Sequence, residues 1–186
     1  MKRLASILVL VLLCTFPACD SSEEGDPSLI TGGQGQLIIL LTDAPIDMST
    51  VQSVIVTIDE VIVYPTMLTD GGDPSPMVIM TQLETFDLLT LTDGATELLA
   101  EAELPVGFYG RIRLRILDAE LIFLDGVVEP LKIESGKVDV PIPFELTVGE
   151  NLEIVLDFDA EGSIQVNQTG SDKYILRPVI TPISTS

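Results

Sequence analysis

Residues 104–117 read LPVGFYGRIRLRIL. From Tyr109 onward the stretch alternates with a period of two. Arg111, Arg113 and Arg115 point one way and Ile112, Leu114 and Ile116 the other, as in a β-strand with one apolar face. Upstream, Pro105 and Gly107 punctuate a turn, and Tyr109 stands where a tyrosine corner ties a sandwich loop to its strand. The chain has nine Lys and Arg against 29 Asp and Glu, so these three arginines hold a third of its positive charge on one strand face. Such a row calls for acidic neighbours or an anionic ligand.

On either side of this stretch, short runs rich in Val, Ile and Leu recur between turn signals. Strands are expected over 37–42, 51–64, 77–91, 120–124, 127–133, 138–146, 151–159 and 174–183. After Asp59-Glu60 both faces of the second run turn apolar, which marks a bulge or a strand buried on both sides. Residues 65–76, with Asp70-Gly71-Gly72-Asp73 and three prolines, read as a surface loop. Residues 96–103 fit a short helix or an irregular edge strand equally well. Pro141 and Pro143 lack amide donors and confine their strand to a sheet edge. Many short strands without a helical period or internal repeat predict an all-β fold, an antiparallel β-sandwich spanning 36–186 as one domain.

In 152–159 the apolar residues Leu152, Ile154, Leu156 and Phe158 alternate with Glu153, Val155, Asp157 and Asp159. If that strand lies beside the arginine strand, its carboxylates neutralise Arg111, Arg113 and Arg115, and the row is structural. The competing reading is a site for an anionic ligand such as an acidic polysaccharide.

The N-terminus carries an address. Residues 1–18 have a charged start (Lys2, Arg3), an apolar run from Leu4 to Leu13 and the small Ala18 before Cys19, the pattern of a secretory signal peptide. The apolar run is shorter than the roughly 18 residues a spanning helix needs. Phe16-Pro17-Ala18-Cys19 resembles a bacterial lipobox, which implies that Cys19 is acylated and becomes the mature N-terminus, although Phe16 and Pro17 depart from the usual residues. Cys14 follows Leu13, too bulky for cleavage. Residues 19–35 read as a flexible acidic tether, some sixteen residues reaching about 20–25 Å. The expected location is the bacterial cell envelope, anchored to a membrane through acyl chains. Asp20 resembles an inner-membrane retention signal, whereas the acidic run 20–24 is similar to surface-export signals, so the domain faces the periplasm or the cell surface.

Five blocks further resemble one family. Leu41-Thr42-Asp43-Ala44-Pro45, residues 86–91 (FDLLTL), residues 104–114, Leu156-Asp157-Phe158-Asp159-Ala160 and Leu176-Arg177-Pro178-Val179-Ile180 are similar, in order, to the blocks of domain of unknown function 4382. That family consists of bacterial and archaeal envelope lipoproteins. The resemblance implies an immunoglobulin-like or transthyretin-like Greek-key sandwich and no established activity. Glu134 before Ser135-Gly136 departs from the usual proline, so that loop is expected to differ in shape.

Composition bounds the chemistry. There is no histidine, which excludes an imidazole base, a serine triad and the common zinc sites. With Cys19 acylated and Cys14 removed, no thiol remains. Loss of Lys2 and Arg3 with the leader takes the formal charge from −20 to −22, which argues against nucleic acid and against attraction to anionic headgroups. A glycosidase built on two carboxylates is conceivable, but no pair stands out, and the reading is no enzyme. No resident cofactor is expected, with calcium the one candidate. Asp157, Asp159 and Glu161, followed by Gly162, match the start of a D-x-D-x-D-G calcium loop, but Gln168 stands where the bidentate Glu belongs. The function expected is a lipid-anchored binding or scaffold module with a protein or polysaccharide partner. The alternative is a carbohydrate-binding lipoprotein dependent on calcium, for which the absence of Trp is unfavourable.

Overall fold

Alternation of apolar and polar residues decides which face of a strand is buried. A computed structural model describes residues 32–43, 49–167 and 173–185; the leader, Cys19 and most of the tether lie outside them. The strands are β1 (Gln34–Thr42), β2 (Val51–Leu68), β3 (Met77–Met80), β4 (Glu84–Asp87), β5 (Glu97–Pro105), β6 (Gly107–Phe123) and β7 (Val128–Pro130). They continue with β8 (Lys132–Ile133), β9 (Lys137–Leu146), β10 (Asn151–Phe158), β11 (Ile164–Val166), β12 (Tyr174–Leu176) and β13 (Ile180–Thr185). One helical turn, α1 (Ala160–Ser163), follows β10.

One sheet has the order β13-β10-β1-β5. A second has the order β3-β2-β6-β7, with β4 also along β2 and β9 along β6, and a small sheet orders β11-β12-β8. Pairing is mainly antiparallel, as expected of the sandwich. Within it β1 runs parallel to β10, from Gln36 opposite Asn151 to Thr42 opposite Asp157. One buried cluster draws on both large sheets, with Leu37, Ile39 and Leu41 of β1 and Ile154, Leu156 and Phe158 of β10 joining Val54, Val56 and Val61 of β2 and Ile112 and Leu114 of β6. Each fully buried Leu, Ile or Phe side chain contributes about 1.5–3 kcal/mol relative to exposure.

Several expected boundaries move for local reasons. β1 begins at Gln34, so Gln34 and Gly35, which the sequence placed in the tether, pair with Pro105 and Leu104. β2 runs past Pro65 to Leu68 because register shifts on both sides of that proline absorb its missing amide donor. The run expected over 77–91 divides into β3 and β4 and ends in a short 3₁₀ turn, which Asp87 caps by accepting from the Leu89 amide at 3.2 Å. Residues 97–105 form an edge strand and not a helix, since β5 pairs with β1 at the end of its sheet. The bulge expected near Asp59-Glu60 is present as a register shift between Ile58 and Glu60.

Candidate functional site

β6 occupies the middle of the second sheet, paired by β2 along one side and, on the other, by β9 from Gly107 to Arg115 and by β7 from Glu120 to Ile122. Its outward residues meet those of both neighbours in successive rows. Arg115 lies opposite Glu60 and Lys137, Arg113 opposite Ile62 and Asp139, and Arg111 opposite Tyr64 and Pro141. The next row, beyond a bulge at Gly110, brings Phe108 opposite Met67 and Glu145.

The arginines are therefore matched by acids, but not by those expected. β10 belongs to the other sheet, where Asp157 pairs with Thr42 and Thr181, so Glu153, Asp157 and Asp159 do not line the arginine row. Alternation shows which residues share a face and is silent on which strand lies alongside. Arg113 donates through Nε and Nη2 to both oxygens of Asp139, at 2.7 and 2.8 Å. Arg115 grips Asp59 the same way, at 2.7 and 2.9 Å, and reaches Glu60 at 3.5 Å. The bulge makes this possible, because it leaves the consecutive residues Asp59 and Glu60 both partly exposed toward one arginine. These hydrogen bonds raise the pKa of Arg113 and Arg115 further, and hold the Asp139 carboxyl below its ordinary value.

Arg111 differs from the other two. Its carboxylate contact among the described residues is a 3.5 Å approach to Asp139, whose oxygens already accept from Arg113. The guanidinium carbon instead lies 3.8 Å from the centre of the Tyr64 ring, a cation–π contact. Its side chain keeps 38% exposure, between the 26% of Arg113 and the 44% of Arg115.

Beside Arg111 the outer face opens into a trough of about 510 Å³, lined by Thr66 and Met67 of β2, Phe108, Tyr109 and Gly110 of β6, and Pro143, Phe144 and Glu145 of β9. Met67 and Phe108 are exposed at 57% and 41%, large values for apolar side chains that converge on one place. Tyr109 and Phe144 stack beneath at 4.9 Å. The tyrosine corner is formed, since the Tyr109 hydroxyl donates to the Pro105 carbonyl at 2.7 Å. The trough lies at the end of the sheet where the chain enters the domain. There the Val106 amide donates to the Gly33 carbonyl, and Gly107 packs so tightly that a Cβ would sit 2.4 Å from the Met67 carbonyl oxygen.

The calcium residues are arranged differently from a loop. Asp159 caps α1, its Oδ1 accepting from the Gly162 amide at 2.7 Å. Asp157 is a strand residue and Glu161 is exposed on the helical turn, while Gln168 lies outside the described residues. Among the described residues no three acids are grouped to hold a metal. Sequence reasoning missed Tyr64, Asp139, Lys137 and the trough. The signal for Asp139 was present in the alternation of Lys137, Asp139 and Pro141, but it names a face and no neighbour.

The family called Domain of unknown function (DUF4382) matches residues 34–178. The chain belongs to that family. Its match covers both large sheets up to the last strand, and so includes the arginine row, the trough and Asp43. No curated protein and no solved structure matches the chain.

Proposed function

We propose that this member of the family is a lipid-anchored binding module of the bacterial cell envelope, without catalytic activity, that presents the outer face of β2, β6 and β9 to its ligand or partner. One observation supports this reading most. The outer face sets an exposed apolar trough, lined by Met67, Phe108 and Pro143, one row beyond the arginines, at the end of the domain where β1 begins. Met67 and Phe108 lie opposite one another on neighbouring strands, and leaving such a pair in water is unfavourable unless something covers it. The trough offers Glu145 and the buried Tyr109 as its titratable groups, a poor basis for acid–base chemistry. Attachment is assigned to acyl chains on Cys19, and no helix among the described residues is long and apolar enough to cross a membrane.

Labelling cells with a clickable palmitate tests the anchor. The wild type should be tagged and fractionate with membranes, while Cys19→Ala should be neither. Equal labelling of the variant would remove the anchor from this proposal. The second reading, a carbohydrate-binding module, draws on the open ring of Phe108, since Tyr64 is already covered by Arg111. A glycan array run with and without calcium separates it from the first.

A further inference from the structure

We propose that the groove between β3 and β5 binds an extended basic peptide, its apolar side chains against Met80 and Leu98 and its cations against Glu84 and Glu101. This is a second surface, separate from the trough, and it depends neither on the trough nor on the anchor. The edges of both large sheets meet there. β3 ends the second sheet and β5 the first, and among the described residues each has a ladder on one side only. Such edges carry backbone donors and acceptors able to pair with an added strand. Between them lies a groove of about 420 Å³, whose wall combines Ile79, Met80, Leu98 and Leu99 with the carboxylates of Glu84 and Glu101.

A bulge supplies the apolar part of this wall. The β1–β5 register slips so that Ile39 faces Ala100 but Leu40 faces Leu98, which leaves Leu99 as the extra residue. Leu99 and Ala100 are therefore both buried, and Leu98, which strict alternation would bury with Ala100, is 50% exposed. β3 adds an uncharged run from Met77 to Leu83, in which Val78 and Leu83 are exposed as well. The charge around the groove has one sign. Between Arg3 and Arg111 the chain contains no Lys or Arg, so the charged side chains of β1 to β5 are all carboxylates. Glu97, Glu101 and Glu103 of β5 thus repel a second copy of the same edge and attract a cation. A segment that alternates basic and apolar residues meets the carboxylates, the apolar wall and the edge backbone together.

The full mature protein in phosphatidylcholine nanodiscs, titrated into a fluorescein-labelled heptapeptide alternating lysine and valine, tests this by anisotropy, with empty nanodiscs as the blank. The peptide should saturate, whereas heptalysine, a glutamate–valine heptapeptide and the same peptide with proline at its central valine should bind far more weakly. Glu84→Lys with Glu101→Lys should raise the half-saturating concentration about tenfold or more, while Asp125→Lys with Glu161→Lys, an equal change of charge elsewhere, should leave it within about twofold. Should the first pair melt early, Leu98→Lys, at an exposed position, closes the groove from another side. A photoreactive diazirine in place of one valine should leave adducts, after digestion at glutamate, on the peptides holding Met80 and Leu98. Heptalysine binding as tightly, equal weakening by both pairs of substitutions, or adducts elsewhere would overturn the proposal. So would self-association of the protein that Leu98→Lys abolishes, which would give the groove to a second copy of the chain.

Discussion

Asp139 holds Arg113 through both carboxylate oxygens, directly across the β6–β9 ladder. The hydrogen bond from Arg113, and then the charge of Arg111, keep the Asp139 carboxyl below its ordinary 3.8. Its stabilising effect is present above that ordinary value and disappears as pH falls through the depressed one. A double-mutant cycle between Arg113→Ala and Asp139→Ala should therefore show coupling at pH 7 that vanishes in acid. The same cycle between Arg113→Ala and Asp157→Ala should be additive, because those residues lie in different sheets. Coupling in the second cycle would contradict the strand order.

Tyr109 should make the fold sensitive to alkali. Its burial, reinforced by the negative charge of Asp70, pushes the phenol from 10.0 up to about 12. The unfolded chain ionises first, so stability is complete below pH 10 and is lost as pH rises toward 12. Tyr109→Phe keeps the stack on Phe144 but loses the bond to Pro105, a cost of about 0.5–1.5 kcal/mol at neutral pH. Urea titrations at neutral and alkaline pH should show that the variant loses less on going to alkali than the wild type does.

Asp43 ties the start of the sequence to its end. Its Oδ1 accepts from the Ala160 amide at 3.0 Å, and both residues are buried. Asp43→Ala leaves that amide without its acceptor and should cost about 1–3 kcal/mol, whereas Asp43→Asn retains an acceptor and should cost less. Equal losses in chemical denaturation would show that the carboxylate acts in some other way.

Metal removal should leave the fold alone. Asp159 already spends Oδ1 on the Gly162 amide and its carbonyl on Ser163. A chelator is expected to leave the thermal midpoint of the purified protein unchanged, and a shift of several degrees would revive calcium at Asp157, Asp159 and Glu161.

The alternation from Tyr109 to Leu117 was legible because it acts locally, and so was the tyrosine corner, which needs only a Tyr at the right distance from a turn; the strand expected separately over 120–124 is the continuation of β6, which runs unbroken from Gly107 to Phe123. The bulge after Ile58 showed itself when two acids interrupted a period of two. Neighbours were not legible. Nothing in Arg113 or Asp139 says that β9 folds back on β6 while β10 crosses to the other sheet, because that choice belongs to the packing of the whole core. The trough was hidden for the same reason: Met67, Phe108 and Pro143 come from three strands and read singly as unremarkable apolar residues. Glu134 gained meaning only in three dimensions, where it accepts from Arg177 at 2.8 Å.

The position of β1 sets how the domain answers a pull. β1 begins at Gln34 and lies between β5 and β10 in the interior of its sheet. Tension from the N-terminal segment would thus travel along the axis of a strand gripped on both sides. Ladder bonds run across a strand, so such a load shears both ladders at once and does not peel them rung by rung. A molecule tugged at this end should yield at higher force than one drawn from β13, the edge strand, which a single ladder holds.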